Sequence, residues 1–123
     1  MSRLHEHRGF TLLEVLVAIT ILSIGILGVA GLTIGIIRGN LTSKHVTNAT
    51  VVAQDWLAEI RRVGYAGAAT QAATDISMGG GTYSRTTTVT NPGTPIANTR
   101  TVSVQVTWDN NAHSVTLQTI LAQ

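Results

Sequence analysis

Phe10-Thr-Leu-Leu-Glu-Val-Leu-Val-Ala-Ile-Thr-Ile-Leu-Ser-Ile-Gly-Ile-Leu-Gly-Val-Ala-Gly-Leu-Thr-Ile-Gly-Ile-Ile37 is the stretch that decides the fold. It holds 28 residues, of which 19 are Ala, Val, Ile, Leu or Phe, and its one charge is Glu14. A run of 18 or more such residues reads as a helix able to span about 30 Å of hydrocarbon. At about 1.5 Å per residue the run is roughly 42 Å long as a helix, so it would tilt or protrude. A carboxylate at mid-bilayer costs about 2.5–3.5 kcal/mol even on lenient insertion scales. Glu14 stands near the start, where the interface lowers that cost. An ionisable group in such a run is still a functional hypothesis that requires a partner. Arg8, six residues back, lies off its helical face.

Outward from this run the chain falls into four parts. Residues 1–9 are short and polar, with Arg3 and Arg8, and residues 10–37 are the apolar run. Residues 38–63 form an amphipathic continuation of the same helix. Its face is Val46, Ala49, Ala53, Trp56, Leu57, Ile60 and Val63, with Lys44, Asp55, Glu59 and Arg62 between. Because Ala49 and Ala53 are small, the weight of that face falls from Trp56 onward. Gly39 and Asn40 are the weakest point of the helix. Gly64 and Gly67 end it, and Arg61 and Arg62 suit its negative pole.

Residues 64–123 then give a loop and an antiparallel sheet. The Gly-rich stretch 64–81 reads as loop, with a helical turn at Ala68–Ala73. From Thr82 the period changes to two. Thr82–Thr90 places Tyr83 and Val89 on one face, and Asn91-Pro92-Gly93-Thr94-Pro95 is a turn. Thr99–Trp108 alternates Val102, Val104, Val106 and Trp108 against polar residues. Asp109-Asn110-Asn111 is a tight turn, and Ser114–Leu121 offers Val115, Leu117 and Leu121 for burial. Three or four strands with one apolar face need a cover, which the amphipathic helix supplies. The fold expected is α+β, with a head core of Trp56, Leu57, Ile60, Val104, Val106 and Trp108.

Composition excludes several functions. The 123 residues contain no Cys, so disulfides, thiolate metal sites and Cys nucleophiles are out. Eight Lys/Arg against six Asp/Glu leave +2, too little for a nucleic-acid footprint. His5 and His7 have no third ligand nearby, and Gly79–Gly81 lacks the Lys-Ser/Thr of a phosphate loop. No nucleophile, base and orienter set is present, so no enzyme, cofactor or metal is expected. Asn40-Leu41-Thr42 and Asn48-Ala49-Thr50 match the short glycosylation pattern within the expected helix.

Arg8-Gly9-Phe10-Thr11-Leu12-Leu13-Glu14-Val15-Leu16-Val17-Ala18 resembles the leader junction of type IV pilins and pseudopilins. The resemblance implies a nine-residue leader cut after Gly9 by prepilin peptidase. It also implies N-methylation of Phe10 and an assembly role for Glu14. The fold it implies is a long N-terminal helix on a small antiparallel sheet. The stretch Gly25–Leu32, the segment Ala53–Arg62 and the closing Val-rich strand with Trp108 are similar to PilV-type minor pilins. The absence of a Cys pair and of Pro in the first half of the helix departs from major pilins. Minor pseudopilins of type II secretion share the Leu-Leu-Glu-Val-Leu-Val-Ala start and are the alternative. The partners implied are the peptidase, the major pilin and other minor pilins, the inner-membrane assembly platform and the lipid bilayer. The implied location is the inner membrane, N-terminus cytoplasmic and head periplasmic, and then the surface fibre. Gly25, Gly28, Gly31 and Gly35 recur at three- and four-residue steps that permit close helix packing. Two readings of other kinds stand beside this one: a single-pass anchored binding module, and a secreted chain cut near Ala30. Intact mass separates all three.

Overall fold

In a computed structural model of the chain, residues 9–91 and 97–123 are described. The leader residues 1–8 and most of the expected Asn91–Pro95 turn lie outside that range. The elements are helix α1 (Leu12–Gly67) and strands β1 (Gln71–Met78), β2 (Gly81–Thr90), β3 (Thr99–Trp108) and β4 (His113–Ala122). The strands form one antiparallel sheet in the order β1-β2-β3-β4. A long N-terminal helix packed on a four-stranded antiparallel sheet is the α+β, type IV pilin-like arrangement. The chain divides into two compact units, the first ending at Asn40 and the second running from Leu41 to Gln123.

In the first unit α1 carries the apolar run with no face buried. Leu13, Leu16 and Leu27 are all largely exposed, and Leu27 is 73% accessible. Three of the four hydroxyls in the run bond back to their own helix. Thr20 donates to the Leu16 carbonyl at 2.8 Å, Ser23 to Ile19 at 2.7 Å and Thr33 to Val29 at 2.9 Å. Each is thereby satisfied without water, as a hydrocarbon environment requires.

In the second unit α1 buries Ala49, Val52, Ala53, Leu57 and Ile60. These positions follow one stripe of the 3.6-residue period. The stripe differs from the expected one at both ends. Val46 and Val63 are exposed at 41% and 45%, because the sheet-facing stripe runs past them through His45, Asn48, Ala49, Val52, Ala53, Leu57 and Ile60, and Val52 is buried in their place. Ala49 and Ala53 are fully buried, so the small side chains mark where the helix backbone lies against the sheet. Opposite them β3 presents Val102, Val104 and Val106, each 0% accessible, with Trp108 beyond. Burying each Val contributes about 1.5–3 kcal/mol. Tyr83 and Thr87 of β2 complete the inner face.

The stretch expected as loop and helical turn instead contains β1. Its Asp75–Met78 half pairs regularly with β2, from Asp75–Ser84 to Met78–Gly81, and a register shift interrupts its start between Gln71 and Thr74. Gly79 and Gly80 connect the strands at φ +57° and +83°. Two successive positive φ values are the requirement of a type I′ hairpin, which only Gly meets at low cost. Helix α1 is interrupted by Gly64, whose φ of 71° is non-helical. Between β3 and β4, Asp109, Asn110 and Asn111 all take positive φ, the left-handed region that Asn and Asp tolerate.

Candidate assembly site

The start of α1 is built by Thr11. Its hydroxyl accepts the Glu14 amide hydrogen bond at 3.2 Å. Its carbonyl lies within bonding distance of the Glu14 and Val15 amides, at 3.1 and 3.2 Å. Thr11-Leu12-Leu13-Glu14 thus has the S/T-x-x-E spacing of a capping box, and its first half is formed. This cap is a site feature that the sequence reading passed over, although its four-residue signal was present. It fixes Glu14 in the first helical turn, where a carboxylate also favours the helix dipole.

Around this cap the residues are open to their surroundings. Gly9 precedes the helix and is exposed, and Phe10 is 83% accessible. Phe10, Glu14, Val15, Ala18, Ile19 and Leu22 line one shallow concavity of about 420 Å³. A Cβ added at Gly9, Gly25, Gly28, Gly31 or Gly35 would meet nothing within 4 Å, and none of these residues has a positive φ. The chain's own fold therefore does not require glycine at these positions. In a helix interior each Gly costs about 1 kcal/mol relative to Ala.

In the head, the residues expected at the core take separate surroundings. Leu57 and Ile60 on α1 and Val104, Val106 and Trp108 on β3 are buried, and Trp56 is half-buried. The indole N–H of Trp56 donates to Thr87 Oγ1 at 2.9 Å, and the Arg85 guanidinium lies 3.8 Å over its ring. Burial moves the Arg85 pKa below its ordinary value. Trp108 keeps different company: the Tyr83 ring at 6.3 Å and the stacked His113 ring at 5.6 Å.

Three polar contacts of the head had no clear sequence signal. Tyr83 is fully buried, and its hydroxyl meets His45 Nδ1 at 2.9 Å and accepts from Asn48 Nδ2 at 3.2 Å. Asn48, one of the two glycosylation-pattern residues, is therefore committed to the helix–sheet junction. Arg100 donates to the Tyr65 carbonyl at 2.6 Å, and its guanidinium lies 4.3 Å over the Tyr65 ring. A cation thus serves the carbonyls at the end of α1, as the dipole favours. It comes from β3, whereas Arg61 and Arg62 turn elsewhere. Arg61 donates to Thr119 Oγ1 at 3.3 Å, and Arg62 pairs with Glu59 at 2.8 Å.

Among the described residues no group of three or more His, Cys, Asp or Glu could hold a metal ion. Among the described residues one helix, α1, is long and apolar enough to cross a membrane. No curated protein and no solved structure matches the chain. Residues 4–30 match the family described as the prokaryotic N-terminal methylation motif. That motif implies a structural subunit, processed by prepilin peptidase and assembled with other pilins. Together with an apolar helix that fits a membrane anchor, it supports placing the chain among type IV pilin-like prepilins, pilin or pseudopilin.

Proposed function

We propose that the chain is a minor type IV pilin. It enters the inner membrane with its N-terminus cytoplasmic and its head periplasmic, loses residues 1–9, and joins the major pilin and other minor pilins to prime or extend a fibre. The observation that carries this reading is the Gly9-Phe10 junction, with Glu14 held one turn inside the helix by Thr11. Gly9 has open space around its Cα, which fits a residue kept for a peptidase and not for the fold. Cleavage frees an amine on Phe10, the residue that is then methylated.

The chemistry follows from the cost of isolated charges. An amine and a carboxylate are each expensive in hydrocarbon, and tolerable when paired and hydrogen-bonded. Four residues separate Phe10 from Glu14, about one turn of helix. The pair forms either within one subunit or between the amine of one copy and Glu14 of a neighbour when helices bundle with an axial stagger. The second arrangement fixes register, while packing of the exposed apolar residues supplies most of the cohesion. Gly25, Gly28, Gly31 and Gly35 let neighbouring helices approach closely. They also leave that segment able to unwind, so that a subunit stretches within the fibre.

Glu14→Leu tests the pairing. The variant should insert and be cleaved at the same bond, yet fail to enter fibres in a pilus-shearing assay. Normal incorporation of Glu14→Leu would remove the pairing from the account.

A further inference from the structure

We propose that His45 is a pH-sensitive latch, which holds the opening turns of the amphipathic half of α1 onto the β1–β2 hairpin and lets go in acid. The latch lies wholly within the second unit. It goes beyond the proposed function, because it operates whether or not the chain enters a fibre.

Apolar burial does not hold this end of the helix. Leu41 and Val46 are exposed at 53% and 41%, and the first buried residue of α1 is Ala49. Polar contacts take its place. Tyr83, wholly buried on β2, sets its hydroxyl between His45 Nδ1 at 2.9 Å and Asn48 Nδ2 at 3.2 Å. The hairpin leaves room for both helix side chains. A Cβ at Gly79 would stand 2.6 Å from Asn48 Nδ2, and one at Gly81 would stand 3.3 Å from His45 Cε1.

Counting protons fixes the state of the ring. Tyr83 has one hydroxyl proton to give. Asn48 donates to the phenol oxygen, so that proton goes to His45, and Nδ1 has to be unprotonated. Neutral imidazole meets this demand with its proton on Nε2. Imidazolium does not, because both of its nitrogens are donors. Protonated Nδ1 would aim a further donor at the phenol oxygen and leave the hydroxyl proton without an acceptor. Tyr83 is 0% accessible, so water does not supply one while the junction stays closed.

The charged groups around the ring act in the same direction. Lys44 is its neighbour on α1 and lays its stem over Gly79. Asp109 and His113, from the β3–β4 turn, line one cavity of about 410 Å³ with His45. Asp109 by itself favours a charged His45, but His113 Nε2 lies 3.9 Å from its carboxylate and competes for it. Acid drives both imidazoles toward the charged form, so two new cations share one carboxylate. The latch is closed above the range in which imidazoles titrate, and its contribution is lost as pH falls through that range. Past Ala49 the buried stripe Val52, Ala53, Leu57 and Ile60 carries no ionisable group. Acid therefore loosens one end of the packed helix and leaves the rest in place.

Backbone amide exchange of the full chain in detergent micelles, compared at about pH 7.5 and about pH 5, tests the latch. After correction for the intrinsic pH dependence of exchange, protection of residues 42–49 should fall roughly tenfold relative to residues 52–60. His45→Asn puts an acceptor that does not titrate near the place of Nδ1, and should make protection equal at the two pH values. Tyr83→Phe removes the hydroxyl and should also abolish the pH dependence. His113→Asn should keep most of it. The ring nitrogen chemical shifts of His45 in the unaltered chain give a reading that needs no variant, and should show Nδ1 unprotonated in the neutral ring. A neutral ring with its proton on Nδ1 would overturn the inference. So would equal protection at both pH values in the unaltered chain, a fall that survives His45→Asn or Tyr83→Phe, or one that His113→Asn removes. None of these readings depends on leader cleavage, so the latch and the proposed function stand or fall separately.

Discussion

Thr11 holds the first turn of α1 through one side-chain bond, to the Glu14 amide. Replacing an N-cap Thr by Ala costs about 0.5–2 kcal/mol. Thr11→Ala should therefore speed hydrogen exchange at the amides of residues 12–15 in detergent micelles, and Thr11→Ser should not. In the head, Thr87→Val leaves the Trp56 N–H without its acceptor. The expected loss is about 1–3 kcal/mol, read from the denaturation midpoint of the purified chain. The Glu59 carboxyl titrates below its ordinary value, chiefly because Arg62 hydrogen-bonds it. A depressed carboxylate pKa stabilises the fold above the ordinary carboxylate range, and this contribution fades as pH falls through the folded-state value. Both side chains are exposed, so the contribution is small. In Arg62→Ala the Glu59 carboxyl should titrate higher, back in the ordinary range, by NMR.

At the scale of elements, α1 combines two problems. Its apolar half has no internal partner, and Gly25, Gly28, Gly31 and Gly35 within that half have no internal reason. Substituting Ala at Gly25, Gly28, Gly31 and Gly35 should stabilise the isolated helix by about 1 kcal/mol each. If these glycines serve packing between subunits, the same variant should enter fibres poorly. A rise in both helix stability and incorporation would assign the glycines no packing role. The amphipathic half is limited by close approach to the sheet. Ala53 is fully buried, so Ala53→Leu should overpack it and destabilise the head by about 1–3 kcal/mol.

The same elements show how much was legible in the sequence. The helix, β3 and the Asp109–Asn111 turn were plain, because hydrophobic period and turn chemistry coincide there. Strand β1 was not. Gln, Ala and Asp have weak strand preference, and only Ile76 and Met78 alternate at its end. Its regular half is set by pairing with β2 and by the Gly79–Gly80 hairpin, which are contacts across the chain. The burial of Val52 over Val46 and Val63 was equally hidden, since it depends on which side of the helix the sheet covers. Arg100 sits at an inward position of β3, a conflict with alternation that only the helix end it serves resolves. The Gly9, Phe10 and Glu14 spacing that suggests an assembly site was legible, but the Thr11 cap that holds Glu14 was passed over.

At the scale of the whole molecule, the chain joins a head with its own core to an apolar helix that buries nothing of itself. Such a helix costs free energy in water, so its stable settings are a bilayer or a bundle of like helices. On the proposed function, removal of residues 1–9 would convert the first setting into the second by creating the amine that answers Glu14. The most direct test is the intact mass of the chain extracted from its native membranes. The account predicts the mass of residues 10–123 plus one methyl group on Phe10. A chain that still carries its first nine residues, or one that begins after Ala30, would contradict it.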